Sequence, residues 1–105
     1  MSDRPIIVTS HAIERARQRR WRGVWGTEVR DRIVREVRAA IDAGRLANHK
    51  PKHWRLYREK PRVLDAIERF VWDEQDEIGW IVKVHEREIV VVTTLHRVAP
   101  IGGLP

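Results

Sequence analysis

Two stretches near the carboxyl end constrain this chain most. Ile78 to His85 alternates apolar with other residues, and Glu88 to His96 is dense in β-branched side chains. A period of two marks a half-buried strand, and β-branched residues suit the pleated surface. The short turn between the stretches makes them an antiparallel hairpin. Val84 opposite Ile89 then sets Lys83 against Val90, Val82 against Val91 and Gly79 against Thr94. In that register Trp80, Val82, Val84, Ile89, Val91, Thr93 and Leu95 share an apolar face. Gly79, Ile81, Lys83, Val90, Val92, Thr94 and His96 share the other. An apolar sheet face must be covered, so the rest of the chain has to supply a packing layer.

The best source of that layer is residues 28 to 43. Val29, Ile33, Val37, Ala40 and Ile41 recur there at helical spacing, with Thr27 expected as N-cap and Gly44 as C-cap. Glu28–Arg32 and Asp31–Arg35 add favourable pairs one turn apart. A shorter helix is expected over about residues 10 to 20, capped by Thr9 or Ser10, with a thin apolar side of Ala12, Ile13 and Ala16. Ile6, Ile7 and Val8 read as a short strand before it. In the middle, 45 to 53 reads as a basic loop and Trp54 to Arg58 as a half-buried strand. A bend or helical turn near 62–67 then precedes a strand near 68–73. The expected fold is α+β: two N-terminal helices packed on an antiparallel β-meander, with a short N-terminal strand. Residues 1–98 form one domain and 99–105 a flexible tail.

Charge narrows the possible partners. Residues 1–60 hold 16 Lys and Arg against 7 Asp and Glu, for +9, while residues 61–105 hold 5 against 8, for −3. A segregated basic half favours an anionic partner, nucleic acid above all, with a polyanionic protein as the competing choice. The chain has no cysteine, which excludes disulfides and thiolate metal sites. His49 and His53 lack acidic neighbours, so no metal and no cofactor is expected. The N-terminus does not resemble a signal peptide. The longest apolar run, Ile89 to Leu95, contains two threonines and is too short to span a bilayer. A soluble cytoplasmic protein with no membrane partner is the default expectation.

Within the basic half, His11, Arg15 and Arg19 recur every four residues and so line one helix face. A guanidinium presents a planar fork that matches phosphate oxygens. The plain alternative is a solvated surface helix. Arg20 and Arg22, with Trp21 and Trp25 among them, could bind single-stranded nucleic acid by stacking and charge. Such tryptophans are more often core plugs beneath a loop. Arg35, Arg38, Lys50 and Lys52 would extend the basic surface.

Metal-free RNA cleavage needs a base for the 2′-hydroxyl, an acid for the leaving 5′-oxygen, and cations for the phosphorane charge. His11 and His96 are the candidate acid/base pair. Arg15, Arg19 and Lys83 are candidates to hold the phosphate, and Thr94 to hydrogen-bond it. Thr9-Ser10-His11-Ala12-Ile13-Glu14-Arg15, with Arg19 four residues on, resembles the His-Ala-x-x-Arg-x-x-x-Arg start of small bacterial RelE- and BrnT-like domains. Val91-Val92-Thr93-Thr94 resembles their terminal Val-x-Thr strand. The resemblance implies the barnase–EndoU–colicin–RelE grouping of metal-independent ribonucleases. It places His11, Arg15 and a terminal-strand Thr or His in a cleft. It further implies a toxin-like or phage-borne role, with an acidic antitoxin or inhibitor protein as a partner. Residues 45 to 70 match nothing in that pattern, and a fold alone does not establish an activity. Two other functions remain open: a non-catalytic nucleic-acid-binding module, and an inhibitor or adaptor docking through Trp21–Trp25. Convergence of His11, Arg15, Lys83, Thr94 and His96 on one surface would favour the enzyme, and dispersal the binding module.

Overall fold

The computed structural model describes residues 4–49, 64–75 and 78–96, without the side chain of His96. In chain order these form β1 (Ile6–Val8), α1 (Ser10–Arg19), α2 (Gly26–Asp42), β2 (Leu46–Ala47), β3 (Glu68–Asp73), β4 (Ile78–Val84) and β5 (Ile89–His96). The fold is α+β, with both helices on one face of a five-stranded sheet of order β1-β5-β4-β3-β2. The expected strand at Trp54 to Arg58, the loop lysines Lys50 and Lys52, and the tail 99–105 lie outside the described residues. Among the described residues, no helix is long and apolar enough to cross a membrane.

Strands β3 to β5 form the expected antiparallel meander, and β2, which falls within the stretch expected to be a basic loop, adds to it by pairing Leu46 with Val71 and Ala47 with Phe70; the sheet as a whole is mixed. β1 joins it parallel to β5, with Ile6 beside Ile89 and Val8 beside Val91. Nothing local sets this direction, because a strand with no hairpin partner has no turn to orient it. The parallel arrangement lets the chain leave β1 straight into α1. Thr9 N–H donates to Val91 O at 3.1 Å, and Thr9 Oγ1 donates to Val92 O at 3.0 Å while accepting from Ala12 N–H at 3.1 Å. Thr9 is therefore both the helix N-cap and a clasp on β5.

The second helix starts earlier than its sequence suggests. Trp25, not Thr27, is its N-cap, and it makes no side-chain cap bond. The other end follows the glycine rule: Gly44 has φ +79°, its N–H bonds Ile41 O at 3.0 Å, and Arg45 N–H bonds Ala40 O at 2.8 Å. That pair of bonds is a Schellman motif, which needs a left-handed residue at Gly44. Val29, Ile33, Val37 and Ala40 are fully buried against Trp80, Val82, Ile89 and Val91, with Ile41 and Val84 at the margin. Each such aliphatic side chain contributes about 1.5–3 kcal/mol by leaving water.

One residue changes the faces of β5. The pairing runs as expected from Val84–Ile89 through Val82–Val91, then jumps to Ile81–Thr93, so Val92 is an extra, bulged residue. Beyond a bulge the inward and outward positions exchange. Gly79 consequently faces Leu95 rather than Thr94, and Thr94 stands opposite Trp80. Thr93 and Leu95 leave the helix-covered face, contrary to the uninterrupted register, and Leu95 packs with Phe70, Ile81, Trp72 and Leu64 on the other side. Gly79 is required there, since a Cβ would lie 2.6 Å from Phe70 Cζ.

Candidate nucleic-acid interface

Helix α1 lies on β5 through Ala12 and Ala16, both fully buried. Small residues on this side let the helix approach closely. The His11, Arg15 and Arg19 side chains are oriented differently as the stripe winds around the axis. His11 is exposed, Arg15 is half-buried with Nη1 3.4 Å from Gln18 Oε1, and Arg19 turns inward, where its Nη1 donates to Thr94 O at 2.8 Å. Arg19 thus satisfies a carbonyl on the part of β5 that β1 is too short to cover. Arg19, a phosphate-binding candidate from the sequence, has a structural role in this bond.

Two residues of the expected catalytic constellation, Thr94 and Lys83, lie on opposite faces of the sheet. Thr94 is fully buried on the helix side, and its Oγ1 donates to Ala12 O at 2.8 Å. Lys83 belongs to the opposite sheet face, standing across from Glu68. The uninterrupted register put Thr94 and Lys83 together, and the Val92 bulge separates them by the thickness of the sheet. His11 and Arg15 remain neighbours on the outer side of α1. The backbone of His96 lies opposite Ile78 at the end of β5, and its side chain lies outside the description.

The two tryptophans also part company. Trp21 is buried in the main core, and the Arg32 guanidinium sits 4.3 Å from its ring centroid. Arg32 Nε also donates to Glu36 Oε2 at 3.2 Å. Trp25 is 76% exposed. A turn closes between them, with Val24 N–H bonding Trp21 O at 3.3 Å and Gly23 at φ +77°. That turn drives Trp21 and Val24 toward the core and leaves Trp25 outside. Gly26, the next residue, abuts α1, where a Cβ would lie 3.8 Å from Ile13 Cγ2. Arg17 and Arg20 follow Ile13 at helical spacing, on the side of α1 that Gly26 abuts. Arg17 was not among the residues singled out from the sequence, although its spacing from Ile13 marks it.

Residues 11–22 hold five arginines and one glutamate. Both ion pairs among the described residues, Arg30–Asp31 and Arg32–Glu36, lie in α2. Arg15, Arg17, Arg20 and Arg22 make no carboxylate pair among the described residues. Arg17, Arg20 and Arg22 are exposed, the last with its Nε on Gln18 O at 3.1 Å. Arg35 is exposed too, but it lies in a cleft between α2 and β1, away from this cluster. Arg38 Nη2 donates to Arg4 O at 3.1 Å. No group of three or more potential metal ligands occurs among the described residues. No family model matches this sequence, and no curated protein or solved structure matches it either.

Proposed function

We propose that the protein is a nucleic-acid-binding module that grips single-stranded RNA along the outer side of α1 and its connector to α2. The observations that carry this reading are the exposed Trp25 indole at the start of α2 and the arginines of α1 and its connector, which make no carboxylate pair among the described residues. An indole face accepts any base, and the guanidiniums of Arg15, Arg17, Arg20 and Arg22 take the phosphates. The dispersal of Lys83 and Thr94 removes two of five groups from a catalytic arrangement and favours binding over turnover. The resemblance of the Thr9–Arg15 motif to RelE- and BrnT-like domains supports RNA as the ligand. An acidic inhibitor protein would compete for the same arginines.

Two measurements test the interface. Counterion release from single strands lowers the logarithm of affinity by roughly 0.7 per neutralised phosphate for each tenfold of salt. Four phosphate contacts therefore predict about a fiftyfold loss between 50 and 200 mM salt in an anisotropy titration of labelled RNA. Salt-independent affinity would reject the electrostatic part. The stacking part is tested by Trp25→Ser, expected to weaken binding about tenfold or more. The same serine supplies the missing N-cap of α2, worth about 1 kcal/mol, so the variant should melt a few degrees higher. Weaker binding by a more stable protein separates contact from folding, and unchanged affinity would exclude Trp25 from the interface.

A second reading, metal-independent RNA cleavage, keeps one supporting observation. The bond from Thr94 Oγ1 to Ala12 O seats the His11 end of α1 on the strand that ends at His96. In that reading one of His11 and His96 takes the 2′-hydroxyl proton, the other protonates the leaving 5′-oxygen, and Arg15 stabilises the phosphorane.

A further inference from the structure

Among the described residues, strand β1 has a neighbour on one side only. Pro5 O accepts from Ile89 N–H at 2.9 Å, and Thr9 N–H donates to Val91 O at 3.1 Å. Main-chain groups alternate in direction along a strand, so Pro5, Ile7 and Thr9 address β5, while Ile6 and Val8 turn their N–H and C=O outward. Among the described residues nothing bonds to those outward groups. Ile6 and Val8 side chains pack into the core under the helices, whereas Ile7 points to the other face and is 45% exposed. Helix α2 walls the same edge, with Ile6, Val8, Val24, Glu28, Asp31 and Arg35 lining the cleft between them.

We propose that a second copy of this chain occupies this edge, β1 pairing antiparallel with its twin about a twofold axis at Ile7. The parity fits. Ile6 and Val8 exchange main-chain bonds with Val8 and Ile6 of the second copy. The two Ile7 side chains then meet on the axis at a non-hydrogen-bonded position, where cross-strand side chains come closest. Charge selects the occupant. The cleft wall of α2 carries Glu28, Arg30, Asp31, Arg32 and Arg35; Arg30 is held on Asp31, so Glu28 stands at the start of the wall and Arg35 at its other end. Arg38 Nη2 on Arg4 O places the basic half at the beginning of β1. A twofold axis reverses the second helix, so Glu28 of each copy approaches Arg35 of the other. An isologous contact demands such a self-complementary surface. An unrelated strand would satisfy the backbone equally well but has no cause to match this order of charge. A three-residue edge is itself too short to pair indiscriminately, which leaves the helix contact to decide. This interface does not depend on RNA binding.

Sedimentation of the full chain over a concentration series tests the assignment. The expected result is a concentration-dependent species of twice the 12.4 kDa chain mass. Ile7→Lys should leave the melting curve nearly unchanged, because the side chain is outside the core, and should abolish the dimer by setting two ammonium groups on the axis. Glu28→Arg and Arg35→Glu should each weaken dimerisation by about tenfold, and the double variant, which restores complementarity in reverse, should recover it. A wild type that stays monomeric at all concentrations would overturn the proposal and assign the edge to another occupant. So would a dimer indifferent to Ile7→Lys, or a double variant no better than its parents.

Discussion

Ile33→Asp is expected to leave the chain largely unfolded at room temperature. Ile33 is fully buried at the centre of the α2 face, packed in the core with Trp80, Val82 and Val91. The substitution removes the aliphatic contacts, a loss of about 2–5 kcal/mol when Ile becomes a small residue. It also places a carboxylate where nothing charged can pair with it, adding the cost of burying or protonating that group. Domains of this class are stable by only about 5–15 kcal/mol in total, so the combined penalty is comparable with the whole. Thermal melting followed by circular dichroism provides the measurement. Ile33→Val, which keeps the shape but for one methyl, should cost about 1 kcal/mol and still give a cooperative transition. An Ile33→Asp protein that melts at the wild-type temperature would mean that α2 does not pack on the sheet through this face.

His11→Ala decides between the two functional readings. RNA incubated with the protein in chelator should remain intact if α1 is only a binding surface. His11→Ala should then change affinity little, since a neutral imidazole adds no net charge to the phosphate field. The cleavage reading forecasts the opposite: products appear, and His11→Ala lowers their rate about a hundredfold or more, the usual contribution of a general acid or base. His96→Ala should match that loss. Arg15→Ala should weaken binding and turnover together, because its charge acts on ground state and transition state alike. Cleavage that survives both histidine substitutions would reject the pair. The structure narrows the remaining choices: the Thr94 hydroxyl is buried on Ala12 O, and Lys83 is on the far side of the sheet. Intact RNA with salt-dependent binding would support the module.

Local periodicity made much of the architecture legible. The stripe from Val29 to Ala40 identifies the buried side of α2 because helix geometry repeats it every turn, whatever the helix packs against. Alternation in Ile78–Val84 and β-branching in Ile89–His96 identify the hairpin, and the pairs from Val84–Ile89 to Val82–Val91 follow from the turn. The strand Glu68–Asp73 after a turn is likewise written in its residues. The charge that makes α1 a candidate interface is a property of composition, and it needs no fold to be seen.

Decisions involving distant partners were not available locally. A period-two count assumes one residue opposite one. The extra Val92 breaks that assumption and reverses every position beyond it, sending Thr94 to the helices and Leu95 away from them. Val92 is held at this point by Thr9, which lies 83 residues earlier in the chain. The direction of β1, the inward turn of Arg19 and the different fates of Trp21 and Trp25 have the same origin. Each depends on which groups the packed helices cover and which carbonyls they leave to be satisfied. Sequence alone therefore determined both helices, the strands β1, β3, β4 and β5, the inner side of α2 and the basic character of α1, but not β2, which it read as loop. Only tertiary packing decided which of those basic and aromatic groups face solvent, because burial is a property of the assembled layers and not of any one segment.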